Sequence, residues 1–307
     1  MATVISILET ALPVFLALAM GMLCRKTGFL TREGVDALKK VVINLTLPAV
    51  LLNAFASAHY SAASLTIPVL IFVVCCIALA LGYGASRLIR AKGRLSPFLA
   101  SGFEAGMLGY ALFALLFRDE SISQFAILDL GQTLFVFTLY KFLLTGKTSW
   151  KAIRKDMVTS PILWAVAIGV LLGATGLYTR MDDWGIRGIL DSATDFISAP
   201  TAMIILLTVG YDLVPAQIPW KKVGSLIAMR LVIMAICLGL IILVNRTLLG
   251  GILFEGAALL MVILPPPYVI PVFSDEPEER VQISSALSAL TLVTMILFAV
   301  FSVLVSI

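Results

Sequence analysis

Apolar residues along this chain come in blocks of about 20, the length that crosses a hydrocarbon core about 30 Å thick, and short charged stretches separate them. Ten blocks can be drawn, at residues 4–24, 38–57, 65–88, 97–117, 121–145, 161–178, 192–212, 223–245, 251–273 and 281–306. Each predicts a membrane-crossing helix, so the expected fold class is an all-α polytopic membrane protein. An even number of crossings puts both termini on one side. Two blocks do not read as plain helices. The ninth ends in "LPPPYVIPVF", with Pro265, Pro266 and Pro267 consecutive, and the fourth reads "SGFEAGMLGYALF", with Gly102, Gly106 and Gly109.

Composition strengthens the membrane assignment. Of 307 residues, 60% are hydrophobic and 13% charged, and the mean hydropathy is +1.05, values foreign to soluble domains. Met1 to Cys24 reads as a retained first span rather than a cleaved leader, because Glu9 and Pro13 interrupt it and its first cations are Arg25 and Lys26. Sorted by loop, 18 of the 22 lysines and arginines fall on one side, with Arg230 counted there beside Lys221 and Lys222. Only Arg118, Arg180, Arg187 and Arg246 fall on the other. The positive-inside rule then places both termini away from the cytoplasm. The net charge of +4 is explained by these loops and implies no nucleic acid.

Cys24, Cys75, Cys76 and Cys237 lie in or at the ends of apolar blocks, where cysteine packs as a small hydrophobe, and neither disulfide nor metal spacing appears. The single histidine, His59, falls in a short outer loop as a solvated residue.

The chain reads as a duplication. Thr46-Leu47-Pro48 in the second block and Ser198-Ala199-Pro200 in the seventh lie 152 apart, and a longer cytoplasmic linker over 146–160 divides two sets of five. Residues 1–145 and 161–307 are then two repeats, and five crossings per repeat make the second inverted. The interrupted fourth and ninth blocks correspond, the arrangement that points to a secondary transporter's binding site. Three adjacent prolines cannot continue a helix, since each removes a donor and clashes with the preceding turn at about 3 kcal/mol or more. The helix must open at Pro265 to Pro267, and the freed amides beginning near Tyr268 carry a partial positive charge suited to an anion.

At this point the residues match a family. The runs "GMLCRKTGFLTREGVDALKKVVINLTLPAVLLNAFA", "EAGMLGYALF" and "LPPPYVIPVF" with the following "DEPEERVQISSALSALTLVTMILF" resemble the auxin efflux carrier family, which includes bacterial permeases for malonate and other organic acids. The resemblance implies two inverted five-helix repeats, with helices 4 and 9 broken and crossing at the substrate site. It implies a scaffold and dimer surface from helices 1, 2, 6 and 7, and a moving transport bundle from the others. The family often has asparagine before the helix-4 break and Gly-x-Pro after it, where this chain has Glu104 and Gly109-Tyr110-Ala111.

The expected substrate site therefore comprises Glu104, Gly106, Gly109, Tyr110, Pro265, Pro266, Pro267, Tyr268 and Asn53. A carboxylate at the membrane centre, costing about 2.5–3.5 kcal/mol on insertion scales, must be paired, protonated or hydrated. Glu104 is thus a coupling-ion candidate, with a purely structural glutamate as the alternative. Asp129 and Gln132, three apart on one helix face, are the other coupling candidates. Asn44 and Asn53 flank Pro48, where interhelical bonding is the commoner use. Asp195, Asp212 and Glu255 lie nearer segment ends and are not assigned to the site.

The function expected is secondary transport of small organic anions, mono- or dicarboxylates, by alternating access with H⁺ or Na⁺ coupling, in a bacterial inner membrane and as a homodimer through the scaffold helices. A channel or membrane receptor on the same fold is the alternative. No cofactor is implied, since the chain has no nucleotide-binding Gly-x-x-x-x-Gly-Lys-Ser/Thr loop. An enzyme is not expected either. The Gly210-Tyr211-Asp212 run lacks the Gly-x-Gly-Asp partner of an intramembrane aspartyl protease, and His59 is no base within the bilayer.

Overall fold

In the computed structural model the described residues are 2–58, 60–61, 63–91, 93–118, 120–145, 158–274 and 276–305. His59 and most of the linker expected at 146–160 lie outside them. Among the described residues the chain is helical throughout, with no strand. Helix α1 (Ala2–Thr27) is followed, after a tight turn at Gly28, by α2 (Arg32–Val41) and α3 (Leu47–Ala56). A π-turn, Val42–Thr46, joins α2 to α3. Pro48 explains this irregularity, since it offers no N–H to the carbonyl four residues back, and the wider turn absorbs its ring. Helix α4 (Thr66–Leu88) leads to the interrupted segment, which comprises a 3₁₀ turn (Ser96–Ala100), a π-turn (Ala105–Gly109) and α5 (Tyr110–Leu116). Helices α6 (Ile122–Phe135) and α7 (Lys141–Thr145), with a π-turn between them, complete this half.

The second half begins with α8 (Pro161–Ala174) and α9 (Leu177–Asp183), which meet at a 67° bend. Then come α10 (Arg187–Ser198), α11 (Thr201–Asp212), broken from α10 at Pro200, and α12 (Trp220–Thr247). Helix α13 (Glu255–Ile263) ends before the proline run, a 3₁₀ turn (Ile270–Phe273) follows it, and α14 (Pro277–Val305) closes the chain. Among the described residues five helices are long and apolar enough to cross a membrane, Thr66–Leu88, Ile122–Thr145, Arg187–Asp212, Trp220–Thr247 and Pro277–Val303, and a sixth if the bent pair α8–α9 is one span.

Helices pack through small residues, as expected where lipid provides no hydrophobic drive between them. Helix α1 lies along α11 so closely that a Cβ on Gly21 would stand 2.1 Å from the Leu207 carbonyl oxygen, and one on Gly210 would stand 2.2 Å from that of Leu18. Helix α3 packs on α8 in a similar way, Gly169 and Gly173 lying against the backbone of Leu52, Phe55 and Ala56. Helix α4 is buttressed by α6 and α12, and these three enclose the interrupted segments.

One sequence assignment is corrected here. Arg230 is not a loop residue but lies within α12, 2% exposed. Removing it leaves 17 cations on the loops assigned to the cytoplasm against four on the other side.

Candidate functional site

The two interrupted segments meet where their helices open. The first opens at Gly102, which adopts φ +70° and lies against Pro267, so that a Cβ would stand 3.0 Å from the ring. A left-handed backbone this close to a neighbour leaves room only for glycine. The second opens at Pro265–Pro267, as the three prolines require, and α13 stops at Ile263. The backbones pair directly, the Glu104 N–H donating to the Pro265 carbonyl at 2.8 Å.

Opened helices leave amides and carbonyls unpaired, and each such group buried away from water costs free energy. Here side chains of opposite sign satisfy them. The Glu104 carboxylate accepts from the Met107 N–H at 3.1 Å through Oε1 and from the Tyr268 N–H at 2.7 Å through Oε2. It therefore caps the π-turn that begins the second half of its own segment and ties that turn to the chain beyond the prolines. The amides expected near Tyr268 to await a foreign anion are served, at Tyr268, by the chain's own carboxylate. At the opposite pole Arg230 donates to three carbonyls, those of Leu99 at 2.8 Å, Gly102 at 2.9 Å and Leu264 at 2.8 Å. Its guanidinium stands 5.7 Å from the centre of the Phe103 ring. An anion thus holds the exposed N–H groups and a cation the exposed C=O groups, each matching the partial charge it meets.

The remaining predicted residues divide. Gln132 pairs with both polar groups of the Phe103 backbone, accepting from its N–H at 2.7 Å and donating to its carbonyl. Asp129, 5% exposed, accepts from the Tyr110 hydroxyl at 2.9 Å. Gly109 is buried against the Phe125 ring and Leu264, Gly106 turns toward Leu47 on α3, and Pro266 is buried in the opened run. Asn53 belongs to another cluster: it donates to Asp195 at 3.4 Å, and its amide oxygen lies 3.2 Å from the Tyr178 hydroxyl, which donates to Asp191 at 2.5 Å. Asn44 bonds the Lys40 carbonyl of its own helical segment.

A cavity of about 340 Å³ lies between the crossing and the helices facing it. Met107 and Tyr268 come from the crossing, Leu287, Ser288 and Thr291 from α14, and Arg32, Lys39 and Asp212 from α2 and α11. The Tyr268 and Thr291 hydroxyls stand 3.0 Å apart on its wall.

Residues 6–156 match the family model described as membrane transport protein. That match covers just under half of the 307 residues and supports a permease of the auxin efflux carrier type. An uncharacterized transporter from Methanothermobacter thermautotrophicus is similar to it, 27% identical over 212 residues that cover 67% of each chain. The matched stretch takes in the first interrupted segment and its supports on α6, while Arg230, Pro265–Pro267 and Tyr268 of this transporter lie beyond it. Sequence reasoning missed Arg230, Met107 and the trio Arg32, Lys39 and Asp212. Arg230 had a legible signal: it stands in the run Leu226–Cys237, where an intramembrane cation marks a functional or structural site by default. The trio had none, since its members lie up to 180 residues apart.

Proposed function

We propose that this transporter is a secondary carrier of small organic anions, mono- or dicarboxylates, working by alternating access. The cavity carries the proposal, because one wall belongs to the crossing and the other to α2 and α11, so sliding of one wall past the other would expose it alternately. The crossing, α4, α6, α12 and α14 would form the moving bundle, and α1–α3 with α8–α11 the scaffold. The ten-crossing inverted repeat is supported by the helix pairings: exchanging the halves carries α1 on α11 into α8 on α3. It also carries Pro48 at the α2–α3 irregularity into Pro200 at the α10–α11 break. By the sorting of cations the cavity mouth at Arg32 and Lys39 faces the cytoplasm, an inward-open state in a bacterial inner membrane.

Coupling falls to Glu104 in this scheme. Both carboxylate oxygens accept backbone N–H bonds, so a proton on either would set a donor against a donor and loosen one of the two caps. Proton and caps compete for the same group, which links protonation to the geometry of the crossing. Asp129 beside Tyr110 is the second candidate, with H⁺ or Na⁺ as the ion. Apolar side chains of α8 and α10 left exposed, among them Trp164, Leu171 and Phe196, suit a homodimer contact through the scaffold. The deciding experiment is flux in proteoliposomes. Saturable counterflow of labelled carboxylates is expected, and ion current far above any substrate turnover would favour a channel instead.

A further inference from the structure

The mouth of the cavity carries charge chemistry that the crossing does not use. Arg32 and Lys39, seven apart on α2 and so on one face, converge on a single carboxylate. Arg32 Nη1 donates to Asp212 Oδ1 at 2.5 Å and Lys39 Nζ to Asp212 Oδ2. Each oxygen of one carboxylate thus takes one cation, an arrangement any free carboxylate can reproduce. Asp212 is also poorly placed for an anion. It is the last residue of α11, where the helix presents its negative end, and its side chain is 34% exposed. Among the described residues cations remain in excess: Arg25 donates to the Tyr211 carbonyl at 3.2 Å, and the other carboxylate in contact is Asp36, 3.6 Å from Arg32. Ser284 and Ser288 line the cavity from α14.

We infer that Arg32 and Lys39 form the anion-binding end of the cavity, where a carboxylate of a small organic anion takes the place of Asp212, their internal counter-ion. The inference rests on the carrier function proposed above and adds the residues that select the charge of its substrate. A carboxylate seated there lies within the same cavity as Tyr268 and Thr291, so one end of the molecule meets two cations and the rest meets hydroxyls and apolar side chains. Cations would be rejected by the positive excess once Asp212 is engaged.

The test is titration of the purified full chain in lipid nanodiscs with acetate and with succinate, read by calorimetry. Asp212→Asn removes the competitor and keeps the shape, so affinity should rise roughly five- to tenfold, the scale of a charge placed at a helix end. The pair Arg32→Gln with Lys39→Gln should lose at least about tenfold. A merely structural ion pair would cost stability on substitution and leave affinity unimproved. If the wild type binds and Asp212→Asn binds no tighter, the inference falls while the carrier function stands. Should neither wild type nor Asp212→Asn bind either acid, both fall together. If Asp212→Asn does not fold, the single variants Arg32→Gln and Lys39→Gln decide: weaker binding supports the inference, and unchanged binding overturns it.

Discussion

The segment from Ser96 to Leu116 opens at Gly102 and is helical again from Ala105, whereas the one from Glu255 to Phe273 leaves its helix at Ile263 and regains only the turn Ile270–Phe273. Their supports differ as well. Gln132 on α6, 29 residues away in the same half, mends the first by pairing with both polar groups of Phe103. The second draws on three separate elements: Arg230 on α12 for the Leu264 carbonyl and Thr294 on α14 for that of Ile263 at 2.6 Å, both in its own half, and Glu104 of the other half for the Tyr268 amide. Glycine permits an opening, which neighbours must then hold, while proline compels one. The compelled opening needs no partner to stay open, only partners for the groups it strands.

That contrast predicts the largest effect at Arg230, which serves both segments. Arg230→Met keeps much of the volume but strands three buried carbonyls, each worth about 1–3 kcal/mol, so the loss should be at least about 3 kcal/mol. Arg230→Lys should recover part of it, because an ammonium is a point charge that cannot reproduce the planar fork. Unfolding in mixed detergent would measure both. A methionine variant of wild-type stability would mean that the carbonyls find water and that the two segments do not share this staple.

Gln132 should matter less and only to the first segment. Gln132→Leu leaves the Phe103 N–H and C=O without their side-chain partner, at roughly 2–4 kcal/mol. Hydrogen exchange should rise around Phe103 and stay unchanged around Tyr268. Equal loosening at both would show that the openings are one cooperative unit, and the distinction between a held and a compelled opening would fail.

How far these features were legible follows from their range along the chain. The opening at Pro265–Pro267 could be read directly, since three adjacent prolines cannot continue a helix, and the pairing of two interrupted blocks pointed to a crossing. The role of Glu104 was half legible. A carboxylate there demanded a partner, but that its partners are the amides of Met107 and Tyr268 depends on a contact spanning 164 residues. Gln132 and Asp129 share a helix face as expected, yet they serve different neighbours, because Phe103 and Tyr110 lie on opposite sides of the π-turn. Asn53 was grouped with the crossing from its position beside Pro48, and the bend between α8 and α9 instead brings Tyr178 to it.

Glu104→Gln should cost about 1–3 kcal/mol, because one amide oxygen can cap only one of the two N–H groups and the new NH₂ faces the other. With Glu104 as the proposed proton carrier, downhill exchange of a carboxylate should persist while accumulation driven by a pH gradient collapses. Accumulation at the wild-type rate in proteoliposomes would leave Glu104 a purely structural cap and move the coupling site to Asp129.

The smallest effect on stability is expected from replacing Pro265, Pro266 and Pro267 together by alanine, and it separates stability from function most cleanly. Alanine is about 3 kcal/mol per residue better than proline in a helix interior, so α13 gains a strong tendency to extend past Ile263. Against this, extension withdraws the Leu264 and Pro265 carbonyls and the Tyr268 amide from Arg230, Glu104 N–H and the Glu104 carboxylate, and removes the ring that packs on Gly102. Gains and losses are of similar size, so the unfolding free energy should change little, while transport should be abolished because the second segment no longer ends at the cavity wall. Circular dichroism should report added helix. A variant that gains helix and still transports would show that the compelled opening is dispensable, and the wall formed by Met107 on the first segment would then have to carry the site alone.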